Sequence, residues 1–527
     1  LENLCMGLSK LIVVGISLDR DHDNPQLIFE SMNSTGRELS QADLIRNFIL
    51  MGLGPNHQEE LFESQWRPME VDFGQEAYGD HFDGFMRHFL TVKTGEIPKI
   101  REVYEAFKAY ARQPIIENAG VNELVKEIRV FARYYCAMLL GGEQNPKLRA
   151  AFLDLKELKS DVTYPFLIEV YHDYNNGLLS VEEFSQIVRL VESYVFRRAI
   201  CNIPTNSMNK TFGTLSQSLN KDRYFESVQA AFLLLPSYRR FPNNEEFIQG
   251  MPERDLYNFR SRTYWLRRME NHERKELVSL DDYTIEHIMP QNENLSSDWK
   301  ESLGPEWERI HLSKLHTLGN LTLTRYNSEY SDRPFVEKRE MEGGFKHSPL
   351  RLNDGLGSVE KWDEQAIETR ARRLAALASE IWISPSLDQE ILASHRPESK
   401  ISRSIYSLED HPTLSPDTPL RGLFDALRAE ILSLDSCIRE EPLKLYIAYK
   451  AETNVVDVIP RSKQLLLAVN MPFRELRDPS ELTKDVSGMG RWGNGEIELR
   501  VSSLEDIPYA LGVIRQSLEK QLGSNPE

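Results

Sequence analysis

The chain has 527 residues, 27% of them charged and 40% hydrophobic, with a formal net charge of −18 at pH 7. That length exceeds a single core and is expected to hold about three or four domains, while no window reaches the apolar length of a membrane span. The four cysteines, Cys5, Cys136, Cys201 and Cys437, are scattered and give neither a disulfide framework nor metal-ligand spacing. Without a basic region, apolar core and cleavage site at the N-terminus, the cytoplasm is the default location. The acidic balance runs mildly against a nucleic-acid ligand, because phosphate contacts need cations. An acidic protein can still carry a local basic groove, and Arg260, Arg262, Arg267 and Arg268 are its candidates, with a solvated helix face as the plainer reading.

The chain opens at Leu1 without a methionine, inside an ongoing apolar pattern, which reads as a fragment of a longer protein. Asn33, Ser34, Thr35 and Gly36 have turn chemistry. Ser40 with Asp43 three residues on marks the start of an amphipathic helix. From about Glu59 to Glu276 apolar residues recur at three- and four-residue spacing, with breakers such as Gly141-Gly142 and Asn175-Asn176-Gly177 between helices. Tyr134, Tyr135 and Tyr194 read as core there, and no repeat of fixed period is present.

Two blocks then carry the chemistry: Tyr283 to Gln291, containing Glu286-His287 and Pro290, and Leu318 to Asn327, containing Asn320. Each holds a short β-branched, aromatic and aliphatic run that favours a strand. A carboxylate beside a histidine, with two asparagines further on, supplies the parts for metal-assisted phosphodiester hydrolysis. Glu286 and Asn327 are the expected ligands of Mg²⁺ (or Mn²⁺), which prefers carboxylate, amide and phosphate oxygens. His287 is the expected general base, since its ordinary pKa of about 6.5 suits proton abstraction from water, and Asn320 is expected to orient the imidazole. Neighbours on a regular strand point to opposite faces, so Glu286 and His287 share a site only at a strand end or bulge. Asp332 as N-cap, Pro334 in the first turn and Gly343-Gly344 at the end bracket a following helix.

Beyond it, Val359 to Ile383 reads as an amphipathic helix with Arg370, Arg372 and Arg373 on its surface, and Ser384 to about Asp417 as a linker rich in Ser and Pro. Leu420 to Leu522 closes the chain with a helix over 420–434, strand-like runs at 443–449, 454–459, 463–470 and 496–501, and a final helix from Leu504. Lys444, Asp457 and Lys463 in this part invite a second-nuclease reading, against which target recognition or assembly is the plainer role.

The two blocks and the helix after them resemble the HNH, or ββα-metal, nuclease fold. Glu286-His-Ile-x-Pro-Gln with Leu318-Gly-Asn-Leu-Thr-Leu-Thr is similar to the nuclease domain of GmrSD-type modification-dependent (type IV) restriction enzymes. The resemblance implies His287 and Asn320 as catalytic residues, Glu286 and Asn327 as metal ligands, and Lys338 with Arg325 as DNA-phosphate contacts. It carries no Cys-x-x-Cys pair of the kind that holds zinc in many relatives, so no structural zinc is expected. Phe29 to Gly36 resembles a block late in the family's ParB-like nucleotide-binding domain. The upstream motif of that domain is absent, which leaves Asn33, Ser34, Thr35 and Gly36 as a remnant of an NTP site in the full-length protein.

The resulting expectation is a mainly α multidomain protein with a small α+β nuclease core and a C-terminal α/β domain. Its parts are a truncated sensor over 1–58, a helical scaffold over 59–276, the nuclease over 277–383, a linker over 384–417 and an accessory domain over 418–527. The implied partner is double-stranded DNA, above all modified phage DNA, with a homo-oligomer allowed and no membrane. The alternatives are a nuclease or nickase triggered by another signal, such as DNA phosphorothioation, and a DNA-binding regulator without cleavage.

Overall fold

A computed structural model describes residues 6–11, 39–51, 53–205, 207–396, 406–435, 437–451, 453–478, 480, 482–487 and 495–521. The chain is mainly helical, with two small antiparallel sheets, and divides into two compact units, Leu1–Gly142 and Glu143–Glu527. The division falls inside the stretch read as a continuous scaffold. Among the described residues no helix is long and apolar enough to cross a membrane. Asn33, Ser34, Thr35 and Gly36 lie outside the described residues.

In the first unit the helix Gln41–Met51 starts where Ser40 and Asp43 place it. The Ser40 hydroxyl accepts the Asp43 amide at 3.1 Å. Two further open amides, of Gln41 and Ala42, donate to the Asp83 carboxylate at 3.2 and 2.8 Å, so the cap is completed by the helix Gln75–Thr94. The core is aromatic: Phe73, Phe82, Phe85 and Tyr135 meet at ring distances of 5.6–6.0 Å.

The second unit is built on α1 (Val181–Ile200), opened by a capping box of Ser180 and Glu183, and α2 (Arg262–Glu270). Asp154 and Glu192, both buried, take up the cations between these helices. Arg267 reaches Asp154 at 2.5 Å and Arg268 reaches Glu192 at 2.9 Å. The carboxylates that neutralise them come from distant sequence, so these two half-buried arginines are held in ion pairs and do not form a basic groove. Arg260 and Arg262 remain exposed, Arg262 over the Tyr257 ring.

Two strands follow, β1 (Thr284–His287) and β2 (Leu321–Thr324), paired antiparallel in unbroken register with Glu286 opposite Thr322 and His287 opposite Leu321. Short α3 (Phe335–Glu340) and long α4 (Glu364–Ile381) complete this region. The cap of α3 differs from the sequence expectation: Pro334 is the N-cap, and the Asp332 carboxylate instead accepts from Asn292 at 2.8 Å. α4 corrects a second expectation. Arg372 and Arg373 are exposed, but Arg370 is buried and donates to the carbonyls of Leu318, Gly319, Leu321 and Leu352. The chain entering β2 runs so close to α4 that a Cβ on Gly319 would collide with the Ile367 carbonyl, and a guanidinium is what satisfies the carbonyls turned toward the helix.

The stretch expected as a linker holds short helical pieces, Gln389–Ser394, Leu408–Asp410 and Pro412–Leu414, with residues 397–405 outside the described set. His395 bonds Glu226 at 2.7 Å, so its first part packs on the scaffold. The closing part is a sheet in the order β3-β4-β5-β6-β8-β7, with α5 (Pro419–Leu434) and α6 (Ile507–Gln521) sharing its core. The strands are β3 (Arg439–Pro442), β4 (Ile447–Lys450), β5 (Asn454–Pro460), β6 (Leu465–Val469), β7 (Lys484–Asp485) and β8 (Ile497–Val501). Ile447, Val458, Leu467 and Leu499 stand in one cross-strand row on the helix side. The expected strand over 443–449 is a hairpin turn and β4, closed by Leu443 N–H donating to the Tyr446 carbonyl at 2.8 Å. Asp457 is buried against Asn454, at 2.6 Å, while Lys444 and Lys463 are exposed.

Candidate active site

The β1–β2 pair carries Glu286 and His287 and is flanked by Asn320 and Arg325, while Lys338 comes from α3, and the edges of the pair are tied by polar groups from far along the chain. Buried Glu270 accepts the amides of Arg351 and Leu352, both at 3.0 Å. The next residue, Asn353, donates to the Leu323 carbonyl at 3.2 Å and accepts the Thr322 hydroxyl. β2 is thereby fixed from its outer side, and β1 follows by pairing.

Asn320 is fully buried and its amide is saturated by other groups. Oδ1 accepts from Met289 N–H at 2.7 Å and from the Trp362 indole at 3.3 Å. Nδ2 donates to the carbonyls of Met289 and Leu315, both at 3.0 Å. Its role is therefore to clamp the chain leaving β1 onto the chain entering β2. The expectation that it orients the His287 imidazole is corrected: two backbone carbonyls take its NH₂ end, and a backbone N–H and the Trp362 indole take its oxygen.

His287 is turned the other way. Its Nε2 lies 3.0 Å from Nδ1 of His316, and Tyr257 packs edge-on against His287 and flat on His316. Leu256 N–H bonds the His316 carbonyl at 2.9 Å, which pins this second histidine in place. Burial first, then the neighbouring His316 and Lys338, hold the His287 imidazole down at about 3, so it is neutral near pH 7. His316 and Tyr257 are site residues that the pattern reading missed. His316 sits two residues before the block that opens at Leu318, and that nearness was the available signal.

Glu286 occupies the opposite face of β1, as the unbroken pairing requires. It is buried, with Oε1 2.6 Å from the ammonium of Lys338. Burial pushes its carboxyl up to about 7 despite the opposing Lys338 charge. Lys338 is itself pulled down from the ordinary lysine value by burial. It also donates to the carbonyls of His287 and Ile288, at 3.2 Å each. Lys338 is thus an internal partner in this structure and presents no ammonium to solvent, in contrast to the expected phosphate contact.

Asn327 is exposed and reaches back to β1, its Nδ2 donating to Thr284 Oγ1 at 3.1 Å and to the Ile285 carbonyl at 3.0 Å. Thr284 and Glu286 share a face of the strand, so Asn327 is brought to the Glu286 side. A carboxylate and an amide carbonyl there are hard oxygen donors of the kind Mg²⁺ takes, with water and phosphate oxygens completing its shell. Among the described residues no group of three or more His, Cys, Asp or Glu is gathered to hold a metal. The donor types fit the ion, and the Glu286 oxygen is held by Lys338. Arg325, half exposed, pairs with Asp282 at 3.0 Å and lies over the Tyr283 ring, and is free to turn toward a phosphate.

The low His287 pKa makes stability depend on acid. Its folded-state value, about 3, is below the unfolded value of about 6.5, so the unfolded chain binds the extra proton between them. Its contribution is present above pH 6.5 and is lost as pH falls toward 3. Urea denaturation at pH 7 and pH 5 is expected to show the parent losing about 2 kcal/mol more than His287→Gln. Glu286, shifted upward, acts with the opposite sign in both proteins and drops out of the difference.

Residues 241–377 match the family model described as GmrSD restriction endonucleases, C-terminal domain, and residues 409–520 match a domain of unknown function. An uncharacterized protein of Haemophilus influenzae is 35% identical over 115 residues, a match covering 22% of this chain and 38% of that protein. The chain thus aligns with less than half of that relative's length. The family match encloses β1, β2, α3 and nearly all of α4, so the likeness to the C-terminal domain of GmrSD restriction endonucleases falls on the candidate site.

Proposed function

We propose that the protein is a DNA endonuclease of bacterial anti-phage defence, hydrolysing phosphodiester bonds of modified phage DNA by an HNH mechanism with Mg²⁺ or Mn²⁺. The observation that carries this reading is the hairpin itself: inside the family-matched stretch, one strand end presents Glu286 on one face and His287 at its last position, clamped by Asn320. Bound by Glu286 and Asn327, the metal would supply stabilisation of the charge that develops on the phosphate and the leaving oxygen. His287, neutral near pH 7, accepts the proton of the attacking water at Nδ1, in the tautomer whose Nε2–H donates to Nδ1 of His316 and so leaves the Nδ1 lone pair free. An incoming phosphate raises the proton affinity of this buried imidazole, which brings a weak base closer to the working pH. Arg325 leaves Asp282 to meet the DNA backbone.

In the same reading the helical regions are a scaffold, and Asn33 to Gly36 belong to a nucleotide site. The domain over 418–527 serves target recognition or assembly. The second reading is a nuclease triggered by a different mark, such as phosphorothioation. Incubation with plain, hydroxymethylated, glucosylated and phosphorothioated DNA, with and without Mg²⁺ and nucleotide, separates the two. Cleavage confined to base-modified DNA supports the proposal, cleavage confined to phosphorothioated DNA supports the second reading, and binding without cleavage of any substrate argues for a regulator.

A further inference from the structure

The side chain of Lys338 is wholly buried, and its ammonium, which has three donors, meets three acceptors. These are Glu286 Oε1 at 2.6 Å and the backbone carbonyls of His287 and Ile288 at 3.2 Å. A carboxylate with two carbonyls is an oxygen cage suited to a hard cation, and here the chain's own ammonium fills it. A divalent ion approaching Glu286 would find its charge already neutralised and a like charge within bonding distance of the same oxygen, which opposes entry steeply in a buried setting. The lysine is carried by α3, a helix of 6 residues. Gly343 and Gly344 stand just beyond it, Gly343 with φ 72, so its anchor is short.

We propose that Lys338 is an internal counter-ion that holds Glu286 in the metal-free protein, and that a divalent cation enters by exchange with it, the freed ammonium turning to a DNA phosphate. This rests on the reading of Glu286 as a metal ligand. In this scheme the metal and the DNA load together, because the phosphate that coordinates the metal also receives the displaced lysine.

The test is Mn²⁺ binding to the full chain without DNA, followed by electron paramagnetic resonance of the free ion. Lys338→Met is expected to bind Mn²⁺ about tenfold tighter than the parent or more, and Glu286→Gln more weakly than the parent. The double variant Glu286→Gln with Lys338→Met replaces the ion pair by neutral groups, which buried sites tolerate, and is expected to fold and to bind no better than Glu286→Gln. Should Lys338→Met fail to fold, acetic anhydride labelling of the parent read by mass spectrometry decides. Lys338 is expected to be protected without metal and labelled in saturating Mn²⁺. Equal affinity of parent and Lys338→Met, or protection that persists in saturating Mn²⁺, overturns the exchange while leaving Glu286 as a ligand. Equal Mn²⁺ binding by parent and Glu286→Gln overturns the ligand reading beneath it.

Discussion

Asn320→Ala is expected to cost about 3–5 kcal/mol of stability, because it strands four buried groups at once. The Met289 amide, the carbonyls of Met289 and Leu315, and the Trp362 indole all lose their partner in a fully buried place. Urea denaturation followed by tryptophan fluorescence measures this directly. A drop in cleavage should track the loss of fold. A cost below about 1 kcal/mol together with lost cleavage would contradict the clamp and return Asn320 to the imidazole.

His287→Ala is expected to show the reverse pattern. Removing a general base lowers the rate by about 10²–10⁴-fold, while stability changes modestly, since the imidazole bonds His316 and packs on Tyr257. Plasmid cleavage under single-turnover conditions gives the rate, and denaturation of the same sample gives the stability. The two variants together separate the residue that performs the chemistry from the residue that shapes its support. Equal loss of stability in both would merge the roles that the geometry keeps apart.

Much of the β1–β2 region was legible in the sequence because its signals are local. β-branched runs mark β1 and β2, and the order of strand, loop, strand and helix follows from punctuation. The alternation rule allowed Glu286 and His287 a shared site only at a strand end or bulge; the pairing runs unbroken through both, with Glu286 turned to Lys338 and His287, the last residue of β1, turned to His316. What the sequence hid depends on partners remote in the chain. Arg370 looked exposed by helical spacing, yet the carbonyls that bury it come from the entry to β2. Arg267 and Arg268 looked like a basic pair, yet Asp154 and Glu192 neutralise them from more than 70 residues away. Lys338 carries a solvent-type residue in a position with no solvent, which only its contact with Glu286 discloses. Asn320 was recognised as important for the wrong bond, since a side-chain amide gives no sign in sequence of whether it will meet an imidazole or a backbone.

The central claim is that this hairpin cuts DNA with His287 as its base. Its most direct test is single-turnover cleavage of a modified DNA substrate by the parent and His287→Ala, each in Mg²⁺ and in EDTA. The account predicts cleavage by the parent in Mg²⁺ alone, with His287→Ala slower by at least about 10²-fold. Cleavage that survives EDTA, or that proceeds equally in both proteins, would contradict it.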